Sequence, residues 1–139
     1  CSSFVLSKAS CPVAKLLWIC LAGACGTGAR YLIGLWAGKA IGAGFPYGTL
    51  IVNLVGCFLI AAITHVALST TLVSPTLRLV LTTGFMGGLT TYSSFNLETT
   101  ALLRSGAWQA AAANFGLTVG GCFAAGLLGL VCARSLFGP

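Results

Sequence analysis

Residue types with chemical potential are concentrated in one interrupted apolar segment, Gly84 to Glu98, which reads GFMGGLTTYSSFNLE. It holds three glycines and four Ser or Thr hydroxyls between two apolar, helix-forming runs. Glycine weakens a helix, and each backbone N–H or C=O freed in hydrocarbon costs several kcal/mol unless it finds a partner. Irregular backbone at membrane depth survives only against protein or a polar cavity, so the segment indicates a binding or permeation site.

The side chains that follow this interruption fall on helical stripes. Thr91, Ser94 and Glu98 recur at intervals of three and four residues, which predicts that they share one helix face. Tyr92 and Phe95 lie on the adjacent stripe. Spacing alone leaves two interpretations of these two rings, which can line a path or pack in a helix interface.

Two further polar residues stand out among apolar neighbours. An amide at membrane depth needs a partner, so Asn53 is expected to bind the shell of an ion or to join another helix. Arg30 either anchors its helix at the interface or faces a polar vestibule, where its charge would raise the local anion concentration. The sequence shows no nucleophile–base pair and no Cys/His cluster, so we do not expect an enzyme.

Composition places these residues in a membrane. Of the 139 residues, 58% are hydrophobic and 6% are charged, and no soluble domain could cover such a chain with polar surface. One helical span takes ~20 residues, which allows about four spans and leaves no room for a catalytic domain. We therefore predict an all-α integral membrane protein with four transmembrane helices in one domain, residues 1–139, beginning with an arm at residues 1–14.

The apolar runs predict where these four helices lie. Expected spans are 15–35, 47–68, 78–104 and 109–134, with the third broken between about residues 84 and 91, and with loops at 36–46 and 69–75. The GxxxG pattern occurs at 34–38, 84–88 and 116–120, which predicts close helix contacts without identifying a partner.

The charges indicate how the chain inserts. Seven Lys and Arg residues face one acid, for a formal net charge of +6, and they are dispersed near helix ends, which is typical of interfacial anchors and not of a nucleic-acid surface. Four spans would place four of them on one side and three on the other, so positive-inside bias is absent. We expect insertion in both orientations and an antiparallel homodimer.

The seven cysteines are odd in number and mostly lie inside apolar runs, where they are expected to serve as small apolar residues. Cys1 is consistent with either a lipidated or a trimmed terminus.

Two segments resemble the signature segments of the Fluc/CrcB fluoride channel family. They are GTLIVNLVG at Gly48 to Gly56 and the interrupted segment Gly84 to Glu98, and GTGARY at residues 26–31 is similar to the first motif of that family. The likeness runs from about Leu16 to Arg134. It implies a fluoride-selective channel in the cell inner (plasma) membrane that exports cytoplasmic fluoride passively and lowers its cellular concentration. It also implies a dual-topology homodimer with two antiparallel pores.

The resemblance further implies roles for single residues. It places the pore asparagine of the family at Asn53 and its phenylalanine pair at Tyr92 and Phe95, where Tyr92 departs from the usual phenylalanine. Arg30 matches an arginine near the vestibule. The polar track beside the pore of the family matches these residues: Thr91, Ser93, Ser94 and Glu98. Further pore positions on the last helix match Asn114 and Thr118.

A cofactor and partners are implied as well. One structural sodium ion, which is not transported, would be held by backbone carbonyls at Gly87 and Thr90 where the third helices of two copies cross. Carbonyls freed at a helix break are oxygen ligands suited to a hard cation. The expected partners are the fluoride ion, a second copy of the chain and the lipid bilayer.

Fluoride is small and strongly hydrated, so a pore must replace several strong hydrogen bonds at once. Hydroxyl and amide donors can replace them, and the electropositive edges of aromatic rings add attraction. A proton-coupled exporter of the small multidrug type, with Glu98 as its coupling acid, is the alternative from another class. A purely structural partner subunit is a third hypothesis.

Overall fold

The computed structural model describes residues 12–138, and every regular element within them is helical. The elements are α1 (Pro12–Ala40), α2 (Tyr47–Ser69), α3 (Pro75–Leu79), a π-helical segment (Val80–Met86), α4 (Gly87–Leu89), α5 (Tyr92–Arg104) and α6 (Trp108–Phe137). Among these, α1, α2 and α6 are long and apolar enough to cross a membrane. The chain is therefore an all-helical membrane protein.

The first helix is longer than the sequence predicts at both ends. It begins at Pro12, within the predicted arm 1–14, and residues 1–11 of that arm lie outside the described residues. It continues past the predicted end at residue 35 to Ala40, so residues 36–40 are helical and not loop. Gly34 and Gly38 weaken the helix locally. The helix continues through them because Ala37 is buried, with 1% of its surface exposed. The helix ends where Gly42 takes a φ of +119°.

The other long helices begin and end near their predicted positions. Pro46 precedes α2, and α6 starts after a short turn in which Gly106 has a φ of +79°. At the end of α2, the hydroxyl and the N–H of Thr70 both donate to the carbonyl of Val66, at 2.7 and 3.0 Å. The hydroxyl thus adds a second bond to the carbonyl that accepts the last backbone N–H of the helix.

Between α2 and α6 the chain forms a series of short helical pieces. The side chain of Ser74 caps α3 by accepting the N–H of Leu77 at 3.2 Å, and Pro75 fits its first turn. A wide π-helical segment and one α-turn follow, and helical geometry stops after Leu89. Thr90 and Thr91 are extended, with ψ values of 155° and 117°, before α5 starts at Tyr92.

Glycines allow α1 to pack closely against residues 80–89. A Cβ added to Gly26 would clash with the carbonyl of Phe85 and lie 2.9 Å from the backbone nitrogen of Leu89. A Cβ at Gly88 would meet the carbonyl of Gly23 in the same way. Small residues on both sides therefore set the distance between the two backbones, and the GxxxG pattern at 84–88 lies in this contact.

We predict that the substitution Gly26→Ala destabilises the protein, because the added methyl group can be accommodated only if two backbones separate. Forcing such overpacking typically costs about 1–3 kcal/mol. Gly38→Ala is the matched control on the same helix, since its Cβ would meet nothing within 4 Å. Thermal unfolding in detergent, followed by tryptophan fluorescence, measures both. A melting temperature of Gly26→Ala at or above that of Gly38→Ala would contradict this packing.

Candidate functional site

The candidate site is organised by one side chain of α2 that faces the helix interruption. The amide nitrogen Nδ2 of Asn53 donates to the carbonyl of Thr91 at 3.0 Å, and its Oδ1 accepts the N–H of Thr91 at 2.8 Å. Asn53 is 7% exposed and Thr91 is 8% exposed. The carboxamide thus pairs both backbone groups of a buried residue that has left the helix, which removes the cost of leaving them unpaired.

This pairing changes what the preceding carbonyls can bind. The N–H and the hydroxyl of Thr90 both donate to the carbonyl of Met86, each at 2.9 Å. In a continuous helix the next donor, the N–H of Thr91, would bind the carbonyl of Gly87. Asn53 takes that N–H instead, so the Gly87 carbonyl is released from its helical donor at an exposed position. An oxygen is left for a cation or for water.

Three hydroxyls predicted from the sequence meet at the start of α5. The Oγ1 of Thr91 accepts the N–H of Ser94 at 3.1 Å and so caps the helix. The same oxygen lies 3.1 Å from the hydroxyl of Ser93 and 3.1 Å from that of Ser94. Ser93 is exposed and Ser94 is half-buried, so this hydroxyl cluster leads from the buried break toward the surface.

A cleft of about 330 Å³, which we name the break cleft, opens beside the interruption. Its lining residues come from α2, the extended residues of the break, the first residue of α5, and α6: Asn53, Cys57, Thr90, Thr91, Tyr92, Thr118, Val119 and Cys122. The hydroxyl oxygen of Thr118 is buried and has no hydrogen-bond partner among the described residues. A buried polar atom without a partner is costly, and this hydroxyl belongs to a residue that lines the break cleft.

The two predicted aromatic residues have different surroundings. Phe95 is 2% exposed, whereas Tyr92 is 75% exposed. Their ring centroids are 5.4 Å apart with a tilt of 58°, and the ring of Phe115 on α6 lies 6.2 Å from that of Phe95. Phe95 therefore packs between α5 and α6, while Tyr92 projects from the chain at the edge of the break cleft.

Asn114 is placed differently from Thr118, although both lie on α6. Its Nδ2 donates to the hydroxyl of Thr99 at 2.8 Å, and that hydroxyl donates to the carbonyl of Phe95 at 2.7 Å. Asn114 is 1% exposed and is not among the residues that line the break cleft. Asn114 therefore joins α6 to α5. Helical spacing places Thr99 on the stripe of Tyr92 and Phe95, but it predicts neither the bond of Thr99 to Asn114 nor the contact of Phe115 with Phe95.

Glu98 and Arg30 lie away from the break cleft. The hydroxyl of Thr49 donates to Oε1 of Glu98 at 2.6 Å, while Oε2 is buried without a hydrogen-bond partner among the described residues. Glu98 borders a separate, glycine-lined cleft of about 160 Å³ between the loop 41–46 and the start of α2. Arg30 is half-buried on α1 and lines neither cleft.

Comparison with known proteins gives the family of the chain. The family model described as CrcB-like protein, Camphor Resistance (CrcB), matches residues 17–130. The chain is 55% identical over 122 residues to a protein of Sorangium cellulosum, with 88% of this chain and 96% of that protein covered. It is 52% identical over 126 residues to one of Anaeromyxobacter dehalogenans, covering 91% and 100%. Both relatives bear the name "Fluoride-specific ion channel FluC".

A third relative, from Geobacter metallireducens, has the same name and is 50% identical over 118 residues, covering 85% of this chain and 95% of that protein. The matches span nearly the full length of these relatives and include the interrupted segment. The chain therefore belongs to the CrcB family.

We predict that Asn53→Ala loosens the break, because the substitution leaves the N–H and C=O of Thr91 without partners in a buried position. Each unsatisfied buried group costs about 1–3 kcal/mol. Hydrogen-exchange mass spectrometry of peptides covering residues 87–94 should show faster exchange in this variant. Asn96→Ala, an exposed position on α5, is the matched control and should exchange like the parent chain. Unchanged protection of this segment in Asn53→Ala would show that the carboxamide does not hold the break.

Proposed function

We propose that the chain is the subunit of a fluoride-specific ion channel that lets fluoride leave the cytoplasm passively. One observation carries the proposal: amide and hydroxyl donors meet at a helix interruption in a chain 55% identical to a protein named as a fluoride-specific channel. Fluoride enters acidified cells as neutral HF and is trapped inside as the anion, so a passive path for the anion is sufficient to lower its concentration.

The break cleft offers the groups that a small anion needs. The free hydroxyl of Thr118 can donate, and the Asn53 amide keeps one N–H beyond the bond that it gives to Thr91. The hydroxyl cluster supplies further donors next to them. The rings of Tyr92 and Phe95 would add electropositive edges, as the path replaces the hydration shell of fluoride step by step. Chloride is larger and would fit a narrow, donor-lined path poorly.

We further propose that residues 75–104 form a fourth, interrupted span. A run of 30 residues reaches about 45 Å when helical, which exceeds the ~30 Å of hydrocarbon in a bilayer. In this arrangement the extended residues Thr90 and Thr91 lie at membrane depth, where the Asn53 carboxamide replaces the partners that water would otherwise supply. The single domain then has four spans and sits in the cell inner membrane.

The exposed surface near the break supports pairing with a second copy in the opposite orientation. Tyr92 is 75% exposed, Phe123 71% and Phe115 55%, and the two phenylalanines lie before and after the GxxxG pattern at 116–120 on α6. A Cβ added to Gly116 or Gly120 would meet nothing within 4 Å in one chain, so another helix can approach there. An antiparallel homodimer would cover this surface and build two paths from equivalent residues.

A structural sodium ion fits the oxygen atoms at the break. Asn53 has released the Gly87 carbonyl from its helical donor, and Thr90 directs its carbonyl from extended backbone. Equivalent carbonyls of two crossing copies would hold one sodium ion that is not transported. When bound, the ion supplies a fixed positive charge between the two paths. Arg30 would add positive charge near the vestibule, and Glu98, held by Thr49, would stand beside the path.

We predict that Phe95→Ile reduces fluoride efflux from reconstituted vesicles at least tenfold, because the branched side chain removes the ring at the break while keeping the position apolar. Leu97→Ile is the matched control: the residue lies on the same helix, is 72% exposed and should keep the parent rate. A fluoride electrode measures efflux, with chloride as the control anion and with sodium omitted in a parallel series. Equal rates in the two variants would contradict the path proposed here.

The substitution Glu98→Gln separates a channel from a proton-coupled exporter, an alternative that receives no support from the relatives. Glutamine keeps an oxygen to accept the hydroxyl of Thr49 but cannot exchange protons. We expect this variant to keep a substantial part of the fluoride efflux and to show no dependence on an imposed proton gradient. Loss of transport, together with proton-driven uptake in the parent chain, would favour the exporter.

A further inference from the structure

Two thiols meet in the break cleft and have no role in the function proposed above. Cys57 on α2 and Cys122 on α6 are both free and half-buried, and both line the break cleft. Both also line a neighbouring cleft of about 440 Å³. The pair therefore stands between two clefts, where a small ion could reach it from either side.

The packing of α2 against α6 holds these thiols together. A Cβ on Gly126 would lie 3.7 Å from the carbonyl of Cys57, and one on Gly121 would lie 3.0 Å from Cδ2 of Leu54. Further along, a Cβ on Gly129 would clash with the carbonyl of Phe58. Because the glycines keep the two backbones close before and after the pair, the thiols cannot move apart without separating the helices.

We propose that Cys57 and Cys122 form a two-coordinate site for a thiophilic d10 metal ion, of the class that contains Cu⁺, Ag⁺ and Hg²⁺. Thiolates are soft ligands that select soft ions, and two sulfur atoms without a third ligand do not complete the tetrahedral set that zinc prefers. On binding, each thiol releases its proton to solvent and forms one metal–sulfur bond. No electron is transferred, so the step needs no oxidant.

A metal ion bound by this pair would also affect fluoride transport, and this second inference rests on the proposed function. Cys57 follows Asn53 by four residues and Cys122 follows Thr118 by four, so each thiol lies one helical turn from a donor of the break cleft on the same face. A metal ion between the sulfurs would stand ~6 Å from those donors along the helices. The bound ion would narrow the cleft and obstruct the passage of an anion by its size, since the two thiolates offset its charge.

The binding experiment uses a full-length chain in which only the pair remains, made by these five substitutions: Cys1→Ser, Cys11→Ser, Cys20→Ser, Cys25→Ser and Cys132→Ser. Purified protein in detergent is titrated with Hg²⁺, and thiolate-to-metal charge-transfer absorption is followed. We expect an end point of one Hg²⁺ per chain, whereas methylmercury, which takes one sulfur, should reach two. An end point of two Hg²⁺ per chain would overturn the shared site.

A competition series tests whether both sulfurs hold the same ion. Chelation by two positioned thiols raises affinity through effective concentration, typically by 10²-fold or more. In this background we therefore expect Hg²⁺ to withstand about 100-fold more glutathione than it does after Cys57→Ser or Cys122→Ser is added. If either single-thiol variant retained Hg²⁺ as well as the pair does, the two-coordinate site would be excluded.

The transport consequence is measured separately on the same background chain in vesicles. One equivalent of Hg²⁺ per chain should lower fluoride efflux more than tenfold, and excess glutathione above the competition point should restore it. When Cys57→Ser or Cys122→Ser is added, the efflux rate with Hg²⁺ should equal the rate of the same variant without Hg²⁺. Unchanged efflux with Hg²⁺ bound would overturn the closure of the cleft. Absence of efflux from the parent chain in the same vesicles, before metal is added, would instead refute the proposed function and leave the binding result standing.

Discussion

A buried carboxamide that replaces a helical hydrogen bond is the interaction on which the site depends. Asn53 takes the N–H and the C=O of Thr91, and this allows the chain to leave the helix in a segment surrounded by apolar residues. Buried backbone that leaves the helix needs partners for its N–H and C=O, and here another helix supplies them. The cap of α5, the hydroxyl cluster and the released carbonyl of Gly87 all follow from the position at which this bond forms.

Small residues bring the elements close enough for that bond. Glycines bring α1 against the segment 80–89, and glycines of α6 bring it against α2, so the break is enclosed from two sides. The open glycines of α6, at Gly116 and Gly120, have no such neighbour within one chain. In the proposed homodimer they would let the α6 helices of two copies approach closely in the same way.

Much of this arrangement could be predicted from the sequence, because hydrophobic runs, prolines and glycines report local geometry. The starts of α2 and α5 fell at the expected residues. The end of α1 did not, since burial of Ala37 outweighs local glycine content. The sequence also could not show that Asn53 binds backbone, that Asn114 pairs with Thr99 away from the cleft, or that Cys57 and Cys122 line one cleft. Each of these depends on the rotation of one helix against another, which periodicity leaves open.

Cryo-electron microscopy of the protein in lipid nanodiscs, prepared with sodium fluoride, shows both the orientation of the copies and the path of residues 75–104. We predict two copies in opposite orientations, with the span 75–104 interrupted at Thr90 and Thr91 and the carboxamide of Asn53 on the backbone of Thr91. We also predict a single cation between the Gly87 carbonyls of the two copies. A continuous helix through residues 86–95, or two copies inserted in the same direction, would contradict this arrangement.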